Sequence, residues 1–198
     1  GDVAPPGAGG RTSYTLRVQT GCDETCAYCI IPSTRGRGRS VELDRVLTEV
    51  EHAAAAGFRE IAVTGVHLGS YGRDLAPRRT LLDLLRALDH HPRPMLYRLG
   101  SLEPMDCTPA IVDLMADSDR LAPHFHLPLQ SASSQVLRAM RRPYSVECFG
   151  RLVTSIRARL PHAGIGSDLI IGFPGETAAD AQATVAFLAD SPLTYLHV

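Results

Sequence analysis

Three of the five cysteines fall in one short run, Gly21-Cys22-Asp23-Glu24-Thr25-Cys26-Ala27-Tyr28-Cys29. The pattern is C-x3-C-x2-C, with an aromatic residue before the third cysteine. Thiolates are nucleophiles and metal ligands. Residues four apart lie at most about 14 Å from each other in extended chain, so a slight curl brings all three thiols round one centre. Iron–sulfur clusters are held by thiolates, usually four. Three would leave one iron without a protein ligand, an open position where chemistry can occur. A structural zinc would instead need a fourth ligand to close its tetrahedron, and incidental crowding is the third reading. Cys107 and Cys148 lie far along the chain, and neither sits in a ligand-like pair. An odd count with three adjacent thiols does not make a disulfide framework.

The positive charge is all arginine, twenty residues with no lysine, which reads as coding bias beside the many alanines. A net charge of −1 argues against a domain whose whole surface grips nucleic acid. Locally, Arg35, Arg37 and Arg39 alternate with Gly36 and Gly38. Such a strip could hold RNA phosphates or be a solvated loop. No run of 18 apolar residues is present, which excludes a membrane-spanning helix. The start lacks the basic-then-apolar pattern of a secretory signal.

With 198 residues, 44% hydrophobic and 21% charged, the chain can form one domain with a core. Residues 1–10 are Gly/Pro/Ala-rich and are expected to be a linker; residues 11–198 form the domain. Strand-like runs are expected at Tyr14–Gln19, Glu60–Gly65, Met95–Ser101, His124–Gln130, Gly164–Phe173 and Tyr195–Val198. Between them lie helical patterns, with caps expected at Ser40, Thr80, Ser133 or Ser134, and Thr177, and Pro109 starting another helix. The βα rhythm demands a parallel sheet, because each crossover needs a helix to return the chain. A partial (β/α)6 barrel of the TIM type is the expected fold, and a doubly wound open sheet is its competitor. In either, the loops following the strands build the site, and the cysteines follow the first strand directly.

At these residues the sequence resembles a family. C-x3-C-x-aromatic-C after the first strand of a β/α repeat is similar to the radical S-adenosylmethionine enzymes. CAYCIIPSTRGRGRS, TGVHLGSYGRDL, HLPLQSAS, the M-x-R-x-Y of Met140 to Tyr144, and DLIIGFPGET look like their methylthiotransferase subgroup. TGVHLGSYG looks most like the branch modifying threonylcarbamoyladenosine beside the tRNA anticodon. The resemblance implies a [4Fe–4S] cluster on Cys22, Cys26 and Cys29, with S-adenosylmethionine bound at its unique iron and cleaved reductively to a 5′-deoxyadenosyl radical. It also implies a second cluster and an RNA-binding domain outside this chain, which is then truncated at its C-terminal end. The partners it implies are tRNA and an electron donor, and the setting a cytoplasmic monomer.

Several residues are candidates for the cofactor pocket. Thr64 and Gly65 end the second strand, where the family carries a glycine-containing segment near the methionine amino group; an ordinary turn is the alternative. Ser101 and Glu103 could bond a ribose or that amino group, or Glu103 could cap the next segment. Gln130 both donates and accepts, which suits ribose hydroxyls. Arg142 is the arginine of M-x-R-x-Y. A planar guanidinium grips a carboxylate with two bonds, which suits the methionine carboxylate, unless it is simply solvated beside Arg138 and Arg141. Asp168 sits midway along its expected strand and needs a partner if buried, either a cofactor group or a structural arginine. His124 and His126, alternating with Phe125, point to one face and read as core or supporting groups.

Three functions compete at this stage. The chain is part of a tRNA methylthiotransferase; or it serves the isopentenyladenosine or ribosomal-protein aspartate acceptors of related enzymes; or it is a non-catalytic iron–sulfur or zinc module.

Overall fold

A computed structural model describes residues 5–7 and 12–198. Most of the expected linker lies outside them. The described chain is an α/β structure of seven strands and seven α-helices: β1 Ser13–Thr20, α1 Ile31–Arg35, β2 Arg39–Ser40, α2 Leu43–Ala55, β3 Glu60–Gly65, α3 Leu81–Asp89, β4 Leu96–Leu99, α4 Pro109–Asp117, β5 His124–His126, α5 Ser134–Ala139, α6 Val146–Arg159, β6 Gly164–Asp168, α7 Ala178–Ala189 and β7 Tyr195–His197.

β1, β3 and β4 pair in parallel, as do β5, β6 and β7. Tyr97 joins the two sets by accepting from Ala122 N (2.8 Å) and donating to Arg120 O (2.7 Å), and Leu102 N donates to His126 O (2.9 Å). The long strands therefore follow one another in space in chain order. A doubly wound sheet requires a point where strand order reverses; none occurs among the described residues, and the partial barrel stands. β2 is the exception, an antiparallel two-residue strand on the outer edge of β1.

The local signals explain most of the helices. Thr80 and Thr177 each form a full capping box with the aspartate three residues on, and Ser133 and Ser145 cap α5 and α6. Pro109 opens α4, where its missing N–H costs nothing. The expected cap at Ser40 is corrected. Ser40 lies in β2, its Oγ accepting from Gly72 N (2.8 Å) and its N–H donating to Asp74 (2.9 Å). With Ser40 so occupied, α2 begins at Leu43 without a side-chain cap.

Three strands are shorter than their apolar runs. β5 stops at His126, since Pro128 lacks an N–H and Gln130 takes a left-handed backbone, φ +68°. β6 stops at Asp168, before the left-handed turn at Gly172. β4 stops at Leu99, leaving Ser101 in the loop beyond. Leu16, Val18, Ile61, Val63, Tyr97, Leu99, Phe125 and Ile165 form the strand side of the core, and Val46, Val50, Leu84, Leu85, Leu88, Ile111, Phe149, Val153 and Ile156 the helix side. Their alternate neighbours along the strands, among them Arg17, Thr64, His124, His126 and Asp168, face the other way.

Candidate functional site

The cysteine loop leaves β1 through Gly21, which has φ +71°; a Cβ there would lie 2.0 Å from the Arg37 carbonyl oxygen. Glycine is what lets the two backbones meet. Cys22 N then donates to Gly36 O (3.1 Å), and Ala27 N donates to Met140 O (3.0 Å), so the loop is tied to both α1 and the end of α5. All three thiols are free; Cys22 and Cys26 are half-buried and Cys29 is exposed. Burial pushes the Cys22 thiol upward.

Two polar groups of side chains reach this loop. The first lies on the Cys22 side. His67 Nδ1 sits 3.7 Å from the Cys22 sulfur, His67 Nε2 meets Asp106 at 2.8 Å, and Arg73 holds the other Asp106 oxygen at 2.9 Å. His67 is nearly buried, and its backbone N–H donates to the fully buried Gln19 (2.8 Å), whose amide in turn donates to Gly21 O (2.8 Å). The carboxylate thus fixes the imidazole, and the imidazole faces the thiol. These residues were not singled out from the sequence, because Gln19 comes from the end of β1, His67 from the loop after β3 and Asp106 from the loop after β4, and no local pattern links them.

The second group surrounds Arg142. Its guanidinium pairs with Glu103, donates to the Tyr144 hydroxyl (2.9 Å), the Tyr28 hydroxyl (3.3 Å) and the Cys26 sulfur (3.2 Å), and is 4% exposed. Burial works against its charge, but Tyr144, Glu103 and Tyr28 more than offset that and hold it protonated. Burial also pushes the Glu103 carboxyl upward while Arg142 pulls it back; direct contact makes the charged pair the form this geometry supports. Tyr144 bonds back to the carbonyls of Pro128 and Leu129. Arg142 and Glu103, both expected near the cofactor, are therefore brought together beside the cysteines, each as the other's partner.

The remaining candidates lie further round the same edge. Thr64 Oγ1 donates to Leu16 O (3.3 Å), and Gly65 packs on Gln19, with room for a Cβ only 3.1 Å from that side chain. Ser101 is exposed. Gln130 uses its backbone to join Asp168 O (2.8 Å) and Ile170 N (2.9 Å), and its side chain makes no hydrogen bond among the described residues. Asp168 is the last residue of β6 and not a mid-strand residue, and its partners are imidazoles: His126 Nε2 at 2.9 Å and His197 Nδ1 at 3.2 Å. Tyr195 completes that cluster, its hydroxyl meeting His124 (2.8 Å) and His126 (3.1 Å) over the bare face of Gly166.

The donor set discriminates among metal groups. At about 2.3 Å per Zn–S bond, a tetrahedral zinc would hold two thiolates about 3.8 Å apart. The three sulfurs do not gather to within 4.8 Å of one another, whereas the ligand atoms of His126, Asp168 and His197 do. Three thiols spread over one curled loop, with a guanidinium N–H on one sulfur, fit a larger multinuclear cluster.

Comparison with known proteins agrees with this geometry. The model of the radical SAM superfamily matches residues 16–188, and the chain belongs to that family. Within it, the chain is 35% identical over 189 residues to the threonylcarbamoyladenosine tRNA methylthiotransferase MtaB of Bacillus subtilis (95% of this chain, 42% of the relative). It is 38% identical over 186 residues to the tRNA-2-methylthio-N(6)-dimethylallyladenosine synthase of Alkaliphilus oremlandii (92% of this chain, 40% of the relative). The chain thus spans about two-fifths of the curated relatives it matches, and those relatives carry both names. Among solved structures, the radical S-adenosylmethionine methyltransferase TsrM of Kitasatospora setae shares the fold (TM-score 0.73, 22% identity, 94% of this chain and 36% of that chain).

Proposed function

We propose that this chain is the radical-generating part of a tRNA methylthiotransferase acting at C2 of N6-threonylcarbamoyladenosine near the anticodon. The observation that carries the reading is the three-thiol loop at the C-terminal edge of β1, in a chain whose curated relatives bear tRNA methylthiotransferase names. Cys22, Cys26 and Cys29 would hold a [4Fe–4S] cluster. When bound, that cluster and S-adenosylmethionine supply one-electron reductive cleavage and hence radical chemistry.

The chain's own residues do the positioning. Asp106 orients His67 toward Cys22, and Arg142 donates an N–H to Cys26, so two cysteines are held by fixed polar groups. Thr64, Gly65, Ser101, Gln130 and Asp168 line the strand ends beyond and are the proposed contacts for the cofactor. The TGVHLGSYG segment favours the threonylcarbamoyl branch. The reading includes a second cluster and an RNA-binding domain elsewhere in the full-length protein, tRNA and an electron donor as partners, and a cytoplasmic monomer.

Nucleoside analysis of tRNA tests it directly. A strain lacking the gene should lose 2-methylthio-N6-threonylcarbamoyladenosine, and the full-length gene should restore it while the Cys26→Ala gene should not. Loss of the isopentenyl product alone would move the acceptor to the other branch, and unchanged tRNA would refute the reading.

A further inference from the structure

The β1–β3 side of the strand edge carries a cavity of about 220 Å³ lined by Arg17, Arg35, Ile31, Thr64, Gly65 and Val66, among others. Arg17 lies on β1 opposite Thr64 in register, and Arg35 is the last residue of α1, immediately beyond the cysteine loop. Among the described residues its charge is one-sided: two exposed guanidinium groups and no acidic residue line it. Three other arginines near the cysteine loop are already engaged. Arg37 is paired with Asp23, Arg73 with Asp106 and Arg142 with Glu103. Arg17 and Arg35 make no ion pair or side-chain hydrogen bond among the described residues. Two unpaired guanidinium groups facing one cavity make an anion site, and their planar forks match the paired oxygens of a carboxylate or a phosphate.

We infer that Arg17 and Arg35 form a carboxylate-binding subsite, and that the carboxylate is that of the acceptor's threonyl group. This deepens the proposed function and rests on it. A threonylcarbamoyl group brings one carboxylate and a hydroxyl to a cavity that lacks negative charge, with Ile31 and Val66 beside its methyl. An isopentenyl group brings only hydrocarbon and offers these two exposed cations no partner. The subsite would therefore select between the two acceptors that the relatives' names divide. The same carboxylate chemistry is offered by the methionine end of S-adenosylmethionine, and the experiment separates the two.

The test uses the full-length, reconstituted protein and two anticodon stem–loop RNAs, one carrying N6-threonylcarbamoyladenosine and one its methyl ester, with binding read by fluorescence anisotropy. A hydrogen bond to a charged group is worth enough that losing one weakens binding on the order of tenfold. Arg17→Gln and Arg35→Gln should each weaken the acid RNA by about that factor and narrow its advantage over the ester. The double variant should bring acid and ester level, and Arg17→Lys, which keeps the charge without the fork, should retain only part of the preference. Because neither side chain has a partner to leave behind, folding should be unaffected, and circular dichroism checks this. Equilibrium dialysis of S-adenosylmethionine supplies the second arm. Weakened cofactor binding with the acid–ester preference intact would assign the carboxylate to methionine and overturn the inference. A wild-type enzyme that methylthiolates threonylcarbamoyladenosine while both glutamine variants keep the preference would overturn the subsite alone. A wild-type enzyme that acts only on isopentenyladenosine would overturn both the subsite and the function.

Discussion

Glu103→Ala isolates what holds the cysteine loop against the strand edge. Arg142 is 4% exposed at its side chain and Glu103 22%. Removing one partner of a buried pair costs about 3–5 kcal/mol, because the other charge is left uncompensated. Here the partial exposure of Glu103 admits water, and the Tyr144 and Tyr28 oxygens still accept from the guanidinium, so the lower end, about 3 kcal/mol, applies. For a domain of this size each kcal/mol moves the thermal midpoint by about 2–4 °C, giving a fall of about 6–12 °C. The cost belongs to the stranded charge, so it should nearly vanish in an Arg142→Met background, where no cation remains. Thermal unfolding of the four proteins in the metal-free state, followed by far-ultraviolet circular dichroism, measures the whole cycle. Glu103→Gln should fall between wild type and Ala, since the amide keeps an acceptor but no charge. A Glu103→Ala protein within about 0.5 kcal/mol of wild type would refute the argument, that being the range of ordinary surface changes. So would an equal cost in both backgrounds.

Gly21→Ala forces a side chain against the Arg37 carbonyl at a left-handed φ, so it should cost more than about 1 kcal/mol and reduce the iron retained after reconstitution; unchanged iron content would refute it. Native metal-free protein treated with an alkylating reagent near neutral pH should be labelled at the exposed Cys29 and Cys148 and spared at Cys107, which burial pushes up to about 12. Mass mapping that finds Cys107 labelled as fast as Cys148 would contradict the packing. His91 and His124 are both held below the ordinary imidazole value by burial, so each binds a proton more readily in the unfolded chain. Their contribution is therefore present above about pH 6.5 and is lost as the solution is acidified below it. Denaturant melts from about pH 7.5 to about pH 5 should show a shallower fall in the His91→Gln, His124→Gln double variant, and an unchanged slope would disprove it.

What could be read along the chain was what local chemistry decides. Thr80, Pro109, Ser133 and Thr177 act on backbone groups within three residues of themselves, and each took the role its residue type suggested. The C-x3-C-x2-C loop was legible for the same reason, being a short run directly after a strand. Ser40 shows where this reasoning ends: it has the right residue type for a cap, but Gly72 and Asp74, more than thirty residues away, claim its polar groups. Gln19, His67 and Asp106 were invisible because their contact is made only once β1, β3 and the loop after β4 lie side by side. Arg142 is the sharper case. Its residue type and motif suited a free carboxylate grip, yet Glu103, Tyr28, Tyr144 and Cys26 surround it in the folded chain. In a chain with twenty arginines, residue type says nothing about which guanidinium remains available to an anion; pairing decides that, and pairing is a property of the tertiary structure. By that criterion Arg17, which no motif distinguishes, is better placed than Arg142 to receive a carboxylate, and the acid–ester comparison turns that difference into a measurement.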